Sequence, residues 1–80
     1  MTEADIYARL TPLFQEVFGD DDLVINPQLT ADDVPEWDSM SHVRLMLTVE
    51  RAFDTRFAAA EIAGLKNVGE LVSLIQRHQA

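Results

Sequence analysis

The chain has 80 residues and a formal net charge of -8, which allows one small hydrophobic core but no deep cleft. With only six Lys and Arg it is poorly suited to nucleic acid, and with no cysteine it has no disulfide framework, thiol nucleophile or thiolate metal site. No apolar run is long enough to span a membrane, and the acidic N-terminus lacks a signal-peptide pattern, so one cytoplasmic domain over residues 1–80 is expected. The charge is unevenly spread. Residues 1–38 hold ten acids and one base, Arg9, whereas residues 39–80 hold four acids and five bases. The first half should therefore attract a cationic partner surface.

Thr2 with Asp5 three residues later announces a first helix. Ile6, Leu10, Leu13, Phe14 and Val17 recur along it at helical spacing. Pro12 cannot donate a backbone hydrogen bond and predicts a kink or reset, and Gly19 predicts a left-handed stop. Residues 20–38 show no sustained period, only isolated apolar anchors at Leu23, Ile25, Leu29 and Val34. Asp20, Asp21 and Asp22 do not make an EF-hand, because position 6 of that pattern is Ile25 instead of Gly and position 12 is Ala31 instead of Glu.

A second helix is predicted from Ser39 to about Phe53. A 100° step per residue places His42, Leu45, Met46, Val49, Ala52 and Phe53 on one arc, facing the core. Met40, Val43, Arg44, Leu47 and Arg51 share the arc nearest Ser39, where three apolar side chains face solvent and suggest a docking surface. Asp54 tolerates the left-handed turn that follows. Ala59 to Ala63 form one short helix closed by Gly64, and Asn67 with Glu70 opens the last helix, carrying Val68, Leu71, Val72 and Ile75. The expected fold is all-α, a four-helix bundle with three main helices, a short third helix and a long first loop.

Glu36-Trp37-Asp38-Ser39-Met40 lies where the acidic loop meets the best helix. Asp38 and Ser39 are both helix-start residues, so either can be a plain cap; the sharper alternative is that Ser39 bears a covalent group. Asp38, Ser39 and His42 contain the residue types of a hydrolase triad, yet three residues within one helical turn cannot align as orienter, base and nucleophile. His42 reads as a half-buried structural residue, and His78 as part of a fraying end.

Asp38-Ser39-Met40, Trp37, Val43, Leu45, Leu47, Glu50, Phe53 and Asn67-Val68 together resemble the acyl carrier protein family over essentially the whole chain. The resemblance implies a non-catalytic carrier whose Ser39 accepts 4′-phosphopantetheine from coenzyme A through a phosphopantetheinyl transferase. It implies an Asp38 that caps the helix and keeps Ser39 exposed, and a prosthetic thiol that supplies what a cysteine-free chain lacks. The partners implied are that transferase and acyl-loading and acyl-processing enzymes, met by a monomer with no nucleic acid and no membrane insertion. Glu36, Trp37, Met40, Val43, Arg44, Leu47 and Arg51 are the residues expected to meet them.

Carriers of fatty acid synthesis usually hold acids on the second helix; here those positions read Arg44 and Arg51, and the acids fall in the loop at Asp32, Asp33, Glu36 and Asp38. The run Trp37 to His42 looks more like free-standing carriers of polyketide-like, extender-unit or cell-surface pathways. Two alternatives stay open at this point: an aminoacyl or peptidyl carrier with the same cofactor, and an acidic helical adaptor with none.

Overall fold

The structure is a computed structural model that describes residues 1–79. Four helices, α1 (Glu3–Phe18), α2 (Ser39–Ala52), α3 (Ala59–Ala63) and α4 (Val68–Gln79), are joined by one long loop and two short ones. The long loop holds a single 3-10 turn at Ala31–Asp33. α1 is the centre of the packing and lies against both α2 and α4.

Each boundary follows from a local hydrogen-bonding need. Thr2 Oγ1 accepts from the Asp5 N–H at 3.2 Å and Asp5 returns a bond to the Thr2 N–H, so two orphan donors are satisfied at the start of α1. α1 ends at Gly19, left-handed at φ 63°. The reset expected at Pro12 does not occur, and α1 runs unbroken through it. Pro12 and Ala8 are both exposed, so the carbonyl that the proline leaves unpaired is open to water. Asp54 makes the left-handed turn after α2 at φ 51°. Gly64, by contrast, closes α3 in the right-handed region at φ -85°, with its N–H on the Ala60 carbonyl.

The core is one cluster in which Ile6, Leu10, Phe14, Leu45, Met46, Val49, Val68, Leu71, Val72, Leu74 and Ile75 are almost wholly buried. The apolar stripes of α1, α2 and α4 therefore meet as their spacing predicts. The long loop wraps this core: Ile25 and Val34 are buried, Leu23 and Leu29 half-buried. It is also fastened to the first turn of α4, whose Val68 and Gly69 N–H groups donate to the Leu29 and Pro27 carbonyls, both at 3.0 Å. Gly69 leaves room for that close approach. A Cβ would stand 3.0 Å from the Pro27 oxygen and 3.2 Å from the Pro27 Cβ.

The far end of α2 is closed from two sides. Arg9 donates to the Ala52 carbonyl with its guanidinium 4.4 Å from the Phe53 ring centroid, and Gln79 donates to the Phe53 carbonyl at 2.8 Å. His78 does not fray. It stands edge-on to Phe57 at 5.0 Å, with Nε2 3.4 Å from the Glu61 carboxylate.

Candidate functional site

Asp38 is the N-cap of α2, extended at φ -110° and ψ -172°, and its Oδ1 accepts from the Ser41 N–H at 2.9 Å. The Ser41 N–H and hydroxyl hold the Asp38 carboxyl below the usual carboxylate range. Ser39 is thereby the first residue inside the helix and not its cap. It is exposed, and neither its hydroxyl nor its N–H has a hydrogen-bond partner among the described residues. An open hydroxyl sits where helical N–H groups and the helix dipole favour an anion.

Trp37 fixes the approach to this point. Its indole packs at 5.6 Å against both Phe14 and Phe18 of α1 and stacks on His42 at 6.1 Å. Its Nε1–H donates to His42 Nδ1 at 3.1 Å. Since the indole nitrogen only donates, Nδ1 must accept, and the ring proton lies on Nε2, 3.2 Å from the Ile62 carbonyl that receives it. His42 thus joins the loop before Ser39, the first turn of α2, and α3. Sequence spacing placed His42 toward the core without revealing either bond, because Ile62 lies 20 residues away; an indole five residues before a core-facing His was the one available signal.

The other residues singled out in the sequence divide into two groups. Met40, Val43 and Leu47 are 79%, 57% and 51% exposed, and Arg44 and Arg51 are exposed beside them on α2. Glu36 is exposed at the loop end, whereas Trp37 is half-buried and turns most of its ring toward α1. Glu50, the only acid in α2, accepts from the Phe57 N–H at 2.8 Å and pins the turn that follows.

The family described as "Phosphopantetheine attachment site" matches residues 8–75. The chain belongs to the acyl carrier protein family. The meromycolate extension acyl carrier protein of Mycolicibacterium smegmatis is 29% identical over 95% of this chain and 77% of its own length. The acyl carrier protein of Rhodococcus erythropolis is 28% identical, with 99% and 87% covered. The solution NMR structure of a holo acyl carrier protein from Geobacter metallireducens matches with a TM-score of 0.86 and 38% identity, covering 91% of this chain and 84% of that one.

An acyl carrier protein transports acyl groups as thioesters and catalyses nothing itself; its cofactor is covalently attached 4′-phosphopantetheine, which supplies the thiol. The residues at the start of α2 fit that group. Ser39 offers the oxygen and the first-turn N–H groups suit a phosphodiester, while the exposed Asp38 carboxylate is engaged by the Ser41 N–H. No helix among the described residues is long and apolar enough to cross a membrane.

Proposed function

We propose that Ser39 Oγ is the atom that carries the phosphopantetheine arm, added from coenzyme A by a phosphopantetheinyl transferase. The observation that carries this reading is the exposed, unbonded Ser39 at the first position of α2, directly behind the Asp38 cap. Asp38 spends its carboxylate on Ser41, so the serine oxygen is left for chemistry and the helix start does not depend on it. Residues 1–80 act as one carrier domain, monomeric and cytoplasmic, visited in turn by acyl-loading and acyl-processing enzymes. Met40, Val43, Arg44, Leu47 and Arg51 meet those enzymes, helped by Glu36 and the open edge of Trp37.

The pathway we propose is a specialised one, such as acyl-chain extension for cell-surface lipids or a polyketide-like assembly. Relatives named for meromycolate extension support this, as does a second helix carrying Arg44 and Arg51. Those names also favour acyl over aminoacyl cargo. An adaptor without cofactor does not fit the family.

Incubation of the apo-protein with coenzyme A and a permissive transferase should add one phosphopantetheine, read by intact mass. Ser39→Ala should add none. Equal addition to both proteins would refute Ser39 as the attachment point.

A further inference from the structure

Fourteen acids and six Lys and Arg make a free cation scarce on this chain. Yet Arg44, Arg51 and Arg56, half of the six, are exposed on α2 and the turn after it, and none forms an ion pair among the described residues. Arg9 is different, being turned inward onto Ala52 and Phe53. The acids nearby offset part of this charge but form no ion pair with any of the three. Glu50 is held by the Phe57 N–H, and Asp54 lines the same groove as Arg51 and Arg56 without an ion pair to either.

These arginines border an apolar ridge. Met40, Val43 and Leu47 follow one another at three- and four-residue steps along one face of α2, and all three are more than half exposed. Arg44 sits between Val43 and Leu47, and Arg51 lies one turn beyond Leu47. At 1.5 Å per residue the face from Met40 to Arg51 is about 16 Å long. Leu47, Arg51, Arg56 and Phe57 then continue it into the groove below α2. A contiguous apolar ridge edged by unpaired guanidinium groups has the composition of a protein interface, where Arg is enriched and its planar fork recognises carboxylates.

We propose that the occupant of this face is an enzyme surface on which an apolar patch is flanked by Asp and Glu, their carboxylates meeting Arg44, Arg51 and Arg56. The proposal rests on Ser39 as the attachment point, because the ridge starts in the first turn of α2 and a partner seated on it receives the arm at its edge. Anionic membranes and nucleic acids would also satisfy three arginines, but a chain of net charge -8 with ten acids in residues 1–38 repels an extended polyanion. A discrete acidic patch limits that repulsion because its carboxylates face the Arg44, Arg51 and Arg56 end of α2, away from Glu36.

The test uses 15N-labelled holo-protein whose single arm on Ser39 is first verified by intact mass and peptide mapping. It is titrated with two amphipathic helical peptides that share a leucine face, one flanked by Glu and its twin by Lys. The Glu peptide should shift the amides of residues 40–56 and bind about eightfold more tightly than the Lys twin, the product of about twofold for each of three exposed pairs. Added salt should erase the difference. In Arg44→Glu/Arg51→Glu/Arg56→Glu, with its helical spectrum intact, the preference should reverse. The proposal is overturned if the Lys twin binds α2 as well as the Glu peptide does, or if the triple variant keeps the original preference. It is also overturned if these amides shift with protein concentration alone and sedimentation finds a dimer, since the occupant is then a second copy. Absence of the arm from Ser39 defeats the attachment reading separately, because the peptide preference is read without it.

Discussion

His42→Ala should destabilise the whole bundle, although His42 is only half-buried. The imidazole makes two hydrogen bonds, from Trp37 Nε1 at 3.1 Å and to the Ile62 carbonyl at 3.2 Å, and it stacks on the indole with an interplanar angle of 21°. Two bonds at about 1 kcal/mol each, with about 1 kcal/mol for the stacked pair, give a loss of about 3 kcal/mol. For a domain of this size that corresponds to a fall of roughly 12–24 °C in Tm. Urea unfolding followed by both far-UV circular dichroism and tryptophan emission is the direct assay, because Trp37 is the one tryptophan and sits at the perturbed contact. His42→Gln, which retains a polar side chain able to accept from the indole, should fall between wild type and alanine. A loss below about 0.5 kcal/mol with unchanged emission would refute the bridge, since surface substitutions without such contacts fall in that range.

Three further outcomes follow from single contacts. Ser39→Ala should leave stability within about 0.5 kcal/mol of wild type, because Ser39 lies inside the helix and not at its cap; Asp38→Ala should lower the urea midpoint clearly. Asp38 also predicts a pH dependence. Its carboxyl pKa is lowered in the folded protein, so its contribution is fully present above the unfolded value of about 3.9 and is lost as pH falls through the lower folded value. The urea-midpoint gap between wild type and Asp38→Asn should therefore hold at neutral pH and close only in strong acid. Gly69→Ala should cost about 1–3 kcal/mol by forcing the loop away from α4, as its Cβ would stand 3.0 Å from the Pro27 oxygen; hydrogen exchange at the Val68 and Gly69 amides should quicken with it.

Much of the fold is legible in the residue order because its causes are local. The Thr2 and Asp5 reciprocal cap, the left-handed Gly19 and Asp54, and the Asn67 Oδ1 that accepts from the Glu70 N–H at 2.8 Å each depend on neighbours a few residues apart. The two arcs of α2 are equally local: helical period separates Leu45, Met46 and Val49 from Met40, Val43 and Leu47, and burial divides them the same way. Pro12 misled because its effect depends on which way the missing bond faces. Only the packed helix shows that it faces water.

Around Ser39 the sequence by itself determined the motif, the acidic approach and the candidate serine, since helix-start chemistry is written within three residues. The tertiary structure decided which side chain caps and which stays open. It made Asp38 the acceptor for Ser41 and left Ser39 without a partner. It also turned Trp37 inward against Phe14 and Phe18, tied His42 to Ile62, and left Arg44, Arg51 and Arg56 unpaired while Arg9 was drawn onto α2. Apart from the Asp38 cap, these outcomes depend on residues far apart in the chain, such as His42 with Ile62 and Arg9 with Ala52, 20 and 43 positions apart, and no local spacing rule carries that information.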